Sequence, residues 1–236
     1  MLNLKNIHKK FDNLYVVSDL NMSIPNNRII SILGPSGCGK TTILNIIASL
    51  IEKDSGEIIG VGDQKISYLF QDPRLIPWKT VYENVEFVLN NKLSKDRDEN
   101  TICEFLKEVE LEEFKDYYPR NLSGGMKQRT ALARAFAYPA DILLMDEPFK
   151  SLDLELRYNL MKKFINMWEN HKRTVIFVTH DVQAAVFLSH KIFILSQKPT
   201  KVEEEIENTI SMEDRYFYNE EFLELEKVIY EKLTKK

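Results

Sequence analysis

The chain of 236 residues is long enough for one large domain with a buried core and too short for a long repeat array. Its composition, 44% hydrophobic and 29% charged with eight glycines and eight prolines, is that of a globular protein and excludes a disordered or fibrous chain. The formal net charge of -4 argues against a dedicated nucleic-acid-binding protein.

The few cysteines and the lack of long apolar segments exclude further classes of protein. Two cysteines are too few for a disulfide framework or a zinc ligand set, so a reducing compartment is expected. The N-terminus lacks the features of a signal peptide, and no run of about 18 apolar residues follows. We therefore expect a chain that does not itself cross a membrane.

Hydrophobic patterning predicts an α/β fold with a mixed sheet. Alternating residues at 2–7 and 15–24 predict antiparallel strands at the N-terminal edge of the sheet. Short apolar, β-branched runs are typical of buried strands in a largely parallel sheet. These runs lie at residues 28–33, 66–70, 141–145, 174–179 and 191–196.

A helical insert interrupts this core. Residues 80–137 have helical periodicity and almost no strand character. We therefore divide a single domain, residues 1–236, into an α/β core of residues 1–79 and 138–200, a helical insert of residues 80–137 and a helical tail of residues 201–236. The tail begins with an acidic run at residues 202–207.

Residues 34–41, GPSGCGKT, match the pattern G-x-x-x-x-G-K-[ST] between a predicted strand and a predicted helix. Gly34, Gly37 and Gly39 allow the backbone to present its N–H groups to phosphate oxygens, and the following helix directs its positive dipole end at the same charge.

Lys40 adds a charge for the β and γ phosphates, and the Thr41 hydroxyl is a ligand for Mg²⁺. The alternative is a glycine-rich turn that begins a helix. The candidate nucleotide site also includes the remaining residues of this segment, Pro35, Ser36 and Cys38, and the residue directly after it, Thr42.

Residues 142–147, ILLMDE, read as a buried strand that ends in two acids. A carboxylate at the carboxyl end of such a strand faces the crevice in which open α/β sheets bind ligands. Asp146 can therefore hold Mg²⁺, and Glu147 can orient and deprotonate an attacking water. The alternative is a solvated acidic turn before Pro148.

Residues 122–126, LSGGM, and the helical run after them make the chain resemble the ATP-binding cassette (ABC) ATPases. The resemblance covers nearly the whole chain, with the motifs in the order of the family. It implies a P-loop, RecA-like core with an antiparallel β edge and a helical subdomain, and ATP and Mg²⁺ as cofactors. Ser123 is expected to cap a helix and to expose the N–H groups of Gly124 and Gly125. In the family this signature closes on the γ-phosphate held by a second subunit, which implies a head-to-tail dimer.

The resemblance also assigns residues that the patterns alone would leave as ordinary polar or core positions. It implies that Gln71 lies near Mg²⁺ and the attacking water and that His180 contacts the γ-phosphate. Residues 151–153, Ser-Leu-Asp, resemble the D-loop that crosses the dimer, with Asp153 at its end. Phe11 resembles the aromatic residue that stacks on adenine.

Two features resemble the nitrate, sulfonate and taurine branch of ABC importers. Met126 replaces the usual signature glutamine, and residues 73–78 read PRLIPW. The fourteen residues between Gly56 and Gln71 also point to a shortened β subdomain. The apolar cluster at residues 75–78 is interpreted as part of a groove for a permease helix, with a buried Trp78 as the alternative.

The expected function is therefore that of an ATPase subunit at the cytoplasmic face of the cell membrane. The resemblance implies a second copy of the chain, two separate membrane permease subunits and an extracytoplasmic solute-binding protein as partners, and no nucleic acid. Two alternatives stay open: the ATPase of an exporter or lipid-extraction system, and an ATP-gated clamp on DNA or on the ribosome. Nitrate, an alkyl sulfonate, taurine and a thiamine-precursor pyrimidine remain open as the solute.

Overall fold

A computed structural model describes residues 1–89, 95–150 and 152–234, with the side chains of residues 95–99 left out. The described chain forms two compact units. The first consists of residues 1–64, 144–146 and 172–234, and the second of the described residues between 65 and 143 and between 147 and 171. Within the described residues, no helix is long and apolar enough to cross a membrane.

A three-stranded antiparallel sheet lies in the first unit. Its strands are β1 (Leu2–Phe11), β2 (Leu14–Ile24) and β4 (Ser55–Ile59), in the order β2-β1-β4. A two-residue turn joins β1 to β2, and Asp12 in that turn has a φ of 49°, a left-handed conformation that Asp tolerates. Phe11 and Leu14 pair directly beside the turn, at the closed end of the hairpin.

The second sheet of the first unit supplies the framework of the site. Strands β3 (Ile29–Leu33) and β7 (Thr174–Thr179) run parallel, and β8 (Lys191–Leu195) lies parallel to β3 on its other side. The carboxyl end of β6 (Ile142–Asp146) lies next to β7, and β9 (Val202–Glu207) runs antiparallel to β8. Every residue of β3 and β7 is buried, as expected for parallel strands that are covered on both faces.

Three α-helices of the described residues belong to the first unit. Helix α1 (Lys40–Ile47) follows β3, and α6 (Val182–Leu188) follows β7 and packs against β3 and β7. The last helix, α7 (Glu220–Thr234), packs on α6 and buries Phe222 and Ile229.

The second unit is mainly helical. It contains β5 (Ile66–Leu69) beside the start of β6, and four helices: α2 (Val81–Glu86), α3 (Lys95–Glu108), α4 (Gly124–Ala137) and α5 (Leu154–Asn170). Phe164 of α5 packs edge-on against Phe136 of α4, with ring centroids 5.1 Å apart. Residues 90–94 of the predicted insert, Ser151 of the D-loop and residues 235–236 of the tail lie outside the described residues.

The predicted α/β fold with a mixed sheet is confirmed, with two differences in detail. The N-terminal strands form a sheet of their own instead of an edge of the main sheet, and the sheet is mixed because of β9. The acidic run at 202–207 is therefore a strand and not the start of a helical tail. Its alternate residues are half-buried, and Lys191 forms ion pairs with Glu205 (2.8 Å) and Glu207 (3.3 Å). The division into core, insert and tail stays a prediction.

His190 connects α6 to β8 and is held between backbone groups. Its imidazole Nδ1 accepts a hydrogen bond from the Ile29 N–H (3.0 Å), and its backbone N–H donates to the Ile29 carbonyl (2.8 Å). Burial, together with the charges of Arg215, Arg28 and Lys172, lowers the pKa of His190 from 6.5 to about 4. The folded protein therefore keeps this imidazole neutral at a pH at which an unfolded chain protonates it.

We expect the free energy of unfolding to fall as the pH decreases from about 7 towards 4, because only the unfolded state takes up the His190 proton there. The loss attributable to this group is at most about 1.4 kcal/mol per pH unit. His190→Asn keeps an acceptor for Ile29 and removes the titration, so urea unfolding of the variant should depend less on pH in this window. Equal pH dependence of the variant and the wild-type protein would contradict the assignment.

Candidate functional site

The segment between β3 and α1 is a loop whose shape depends on glycine. Gly37 has a φ of 74° and Gly39 a φ of 118°, both in the left-handed region that other residues rarely adopt. Gly39 is the N-cap of α1 and has no side chain to cap the helix. The first N–H groups of α1 can therefore bind an external anion.

Close packing requires two of the loop's glycines to lack a side chain. A Cβ on Gly39 would lie 2.9 Å from Val16 Cγ1, and one on Gly34 would lie 3.0 Å from Cys38 Sγ. Cys38 is buried, so its thiol packs behind the loop, whereas Ser36 and Gly37 are exposed at the tip.

Lys40 lies within the curve of the loop. Its ammonium group donates hydrogen bonds to the carbonyl oxygens of Gly34 (2.7 Å) and Pro35 (3.0 Å), and the side chain is buried. These two carbonyls hold the Lys40 ammonium group near the N-terminus of α1, beside the first backbone N–H groups of the helix. The loop therefore presents a cation and a helix start to the same anion.

Thr41 and Asp146 meet at this helix start. The Thr41 hydroxyl donates to Asp146 Oδ2 at 2.7 Å, and Asp146, the last residue of β6, is only 4% exposed. A hydroxyl and a carboxylate side by side are ligands that suit Mg²⁺, which is usually bound through one or two protein groups and substrate phosphates. The described residues include no group of three or more His, Cys, Asp or Glu side chains that could hold a metal alone.

His180 lies at the same edge of the sheet. Leu33, the last residue of β3, pairs with Thr179, the last residue of β7. Gly34 and His180 therefore each lie one residue beyond the end of these neighbouring strands. The His180 side chain is exposed, and Asp181 after it caps α6 by accepting from the Ala184 N–H (3.2 Å). The first unit thus brings together the loop, Thr42 in the first turn of α1, Asp146 and His180 at the carboxyl ends of its strands, where such sheets bind ligands.

Phe11, the proposed adenine platform, is the last residue of β1. Its side chain is 42% exposed, and the Lys9 ammonium lies 5.2 Å from the ring centroid. The core alternative for this aromatic residue is therefore wrong, and the ring has a free area on which a base can stack.

Gln71 and Glu147 belong to the second unit. Gln71 is exposed and follows Phe70, whose ring lies 3.8 Å from the Arg74 guanidinium. Glu147 has a φ of 49°, which costs a residue other than glycine about 1 kcal/mol or more. Such a conformation at a polar residue is often retained at sites where it directs a functional side chain.

The signature segment forms the start of α4. Ser123 accepts a hydrogen bond from the Met126 N–H at 3.2 Å, so the predicted N-cap is confirmed. Ser123 and Gly124 are exposed, and a Cβ on Gly124 would meet no heavy atom of the described chain within 4 Å. Gly125 follows in the first turn. Asp153 is likewise exposed and caps α5 by accepting from the Leu156 N–H at 3.0 Å.

Sequence reasoning missed the residues that hold these segments in place. Asn84 is fully buried in α2 and bonds backbone groups of Ile76, Lys79 and Thr80. Arg134 of α4 donates to the carbonyls of Pro73 (2.8 Å) and Arg74 (3.0 Å). The one visible signal was the capping box of Thr80 and Glu83, which marks the start of α2 next to Asn84.

A pair of substitutions tests the glycine loop. Gly39→Ala should lower the free energy of unfolding by about 2 kcal/mol or more, because its φ is unfavourable and its Cβ lies against the stiff Val16 side chain. Gly37→Ala is the control: the backbone is also left-handed, but the described chain leaves its Cβ free space, so the loss should be about 1 kcal/mol. Urea unfolding without nucleotide measures both, and equal losses would contradict the packing argument.

Known proteins are similar to this chain over much of its length. A family description for ABC transporters matches residues 17–150. The chain is 38% identical to the "Aliphatic sulfonates import ATP-binding protein SsuB" of Bacillus cereus (strain ATCC 10987), over 98% of this chain and 93% of that protein.

Solved structures are similar as well. The dimeric bacterial ABC transporter cassette MJ0796 superimposes with a TM-score of 0.80 at 32% identity, covering 89% of this chain and 100% of that one. The same cassette bound to ADP and Pi, in a post-hydrolysis state, gives a TM-score of 0.78 at 33% identity and the same coverage. The cbiO1 protein of Clostridium perfringens, part of the ABC transporter complex cbiONQ, gives 0.78 at 25% identity, covering 98% of this chain and 91% of that one. The chain has a glycine-rich loop of the kind that binds phosphate and a buried acid beside it. Together with the family match and these relatives, this shows that the chain belongs to the ABC transporter family and is one of its ATP-hydrolysing cassettes.

Proposed function

We propose that this chain is the ATP-hydrolysing subunit of a membrane importer for a small anionic solute of the nitrate, sulfonate or taurine type. The observation that carries the proposal is the 2.7 Å contact between Thr41 and Asp146 at the start of α1, where ATP phosphates and Mg²⁺ are expected. The sulfonate importer named among the relatives, Met126 and the segment 73–78 support the importer branch. They favour import over an exporter and over an ATP-gated clamp.

The first unit supplies the binding groups. The free N–H groups of α1 and the Lys40 ammonium bind the β and γ phosphates, with Lys40 exchanging its contacts with the Gly34 and Pro35 carbonyls for phosphate oxygens. Phe11 stacks on the adenine. Thr41 and Asp146 would hold Mg²⁺, with Gln71 of the second unit as the further ligand that the resemblance implies, and the ion would neutralise phosphate charge.

Glu147 and His180 act on the γ-phosphate side. Glu147 orients the attacking water and accepts its proton, and the left-handed backbone at φ 49° aims the carboxylate for this purpose. His180, exposed at the end of β7, donates a hydrogen bond to the γ-phosphate.

A second copy of the chain completes the site. The exposed helix start at Ser123, Gly124 and Gly125 is an anion-binding site on a chain that already has a phosphate loop, so it is free to bind the γ-phosphate held by a partner. The D-loop with Asp153 crosses between the copies. Closure of this head-to-tail dimer around two ATP molecules then drives transport, and the dimeric MJ0796 cassette supports the arrangement.

Glu147→Gln tests the base and the dimer together. The variant should bind ATP, because the side chain keeps its size, and should hydrolyse it at least about 100-fold more slowly. Uncleaved ATP should then hold the dimer together, which size-exclusion chromatography with Mg-ATP detects.

Glu155→Gln is the matched control, because Glu155 is an exposed acid in the first turn of α5. It should hydrolyse ATP like the wild-type protein. A Glu147→Gln protein that hydrolyses ATP at a near wild-type rate, or that stays monomeric at high protein concentration, contradicts the assigned role and the dimer.

The segment after Gln71 is the proposed contact with the membrane subunits. Trp78 is 76% exposed, so the alternative of a buried Trp78 is wrong, and Phe87 at the end of α2 is exposed as well. Asn84 and Arg134 hold the backbone on either side of Trp78, so its exposed ring lies on a fixed loop. A rigid apolar surface of this kind fits a short helix of a permease subunit.

Two permease subunits and an extracytoplasmic solute-binding protein complete the proposed importer, and this chain works peripherally at the cytoplasmic face of the membrane. The cbiO1 relative, part of a larger transporter complex, supports a permease partner.

Trp78→Asp should leave the folding and the basal ATPase of the isolated subunit unchanged and should weaken association with co-expressed permease subunits by tenfold or more. Tyr218→Asp is the control, since Tyr218 is 80% exposed on a different unit. Copurification with the permease measures both. Normal assembly of the Trp78 variant would show that the permease binds elsewhere.

A further inference from the structure

Thr200 lies between β8 and β9, far from every motif of the sequence, yet it is fully buried. Its N–H donates to the Val16 carbonyl (2.9 Å), and its carbonyl accepts from the Ser18 N–H (3.0 Å). The turn that carries it is closed by a hydrogen bond from the Ser196 N–H to the Lys201 carbonyl (3.0 Å). Thr200 is therefore fixed against β2 by its own backbone.

The Thr200 side chain points into the back of the loop between β3 and α1. Its hydroxyl donates a hydrogen bond to the carbonyl of Cys38. A Cβ on Gly39 would lie 3.4 Å from the same hydroxyl oxygen, so the loop backbone approaches Thr200 closely. The contact joins residues 162 positions apart in the chain.

This hydrogen bond determines the direction of one N–H group. The carbonyl of Cys38 and the N–H of Gly39 belong to the same trans peptide and point in opposite directions. A carbonyl held on Thr200 therefore turns the Gly39 N–H away from Thr200. That N–H then lies in the set that the loop offers to phosphate oxygens.

We propose that Thr200 is a positioning residue of the phosphate loop, whose hydroxyl holds the Cys38–Gly39 peptide in the orientation that binds the polyphosphate of ATP. The inference rests on the proposed role of residues 34–42 in phosphate binding. Because Thr200 is also bonded to Val16 and Ser18 of β2, it links the phosphate loop to the hairpin that carries Phe11 at its end. The loop is thus preorganised, and ATP binding does not have to order it.

Thr200→Val tests the proposal, because valine keeps the shape of threonine and removes only the hydroxyl. Loss of one hydrogen bond from the preorganised loop should weaken binding of ATP and of inorganic tripolyphosphate roughly fivefold to tenfold. Binding of adenosine, which has no phosphate, should be unchanged. The KM for ATP should rise while kcat stays within about twofold, because the loop binds the ground state and the transition state alike.

Thr200→Ser is the matched control, since it keeps the hydroxyl and should bind tripolyphosphate like the wild-type protein. Titration calorimetry at a temperature well below unfolding measures the affinities, and urea unfolding measures stability separately. A purely structural role predicts a loss of stability in Thr200→Val with unchanged tripolyphosphate affinity, and this result would overturn the proposal. Equal weakening in the Ser variant, or equal weakening of adenosine binding, would overturn it as well.

If Thr200→Val fails to fold, Thr200→Cys serves in its place, because it has a similar size and only a weak S–H donor. It should show a smaller weakening in the same direction. Failure of both variants to fold, where Thr200→Ser folds, would assign the hydroxyl to folding alone. A wild-type protein that binds neither ATP nor tripolyphosphate would instead refute the phosphate loop itself.

Discussion

The hydrogen bond between Thr41 and Asp146 joins the two segments of the chain on which the chemistry depends. These residues are 105 positions apart, and they meet because β3 and β6 belong to one sheet whose parallel strands end at the same edge. A carboxylate as buried as Asp146 needs a hydrogen-bond donor, and the Thr41 hydroxyl provides one. The rest of the first unit, from the glycine loop to His180, is arranged around this edge.

Left-handed backbone conformations occur at three positions that the proposed reaction uses, Gly37, Gly39 and Glu147. Gly37 and Gly39 adopt left-handed conformations at little cost, and they open the loop so that its N–H groups point at one anion. Glu147 adopts such a conformation without the freedom of glycine. The Gln128 amide, which donates to the Pro148 carbonyl at 3.2 Å, stabilises the backbone directly after Glu147.

Helix α4 connects two proposed contacts of the second unit. It begins at Ser123, which faces solvent, and Arg134 towards its other end bonds the backbone before the exposed Trp78. A helix of fourteen residues is about 21 Å long and bends little, so its two ends move together. In the proposed dimer, a movement of the signature on contact with a partner's nucleotide would therefore reach the segment that is proposed to contact the permease.

The sequence alone determined the features that depend on neighbouring residues. The left-handed turns at Gly37 and Gly39, the cap at Ser123 and the buried runs of β3 and β7 follow from local residue types, so the phosphate loop and the α/β fold could be predicted. Only the tertiary structure decided that β1, β2 and β4 form a separate sheet and that the acidic run is a strand, because Lys191 and the edge of β8 stabilise β9 from a distant part of the chain. Thr200, Asn84 and Arg134 escaped prediction for the same reason: their side chains bond backbone carbonyls, which every residue has, so no residue type in the sequence marks the partner.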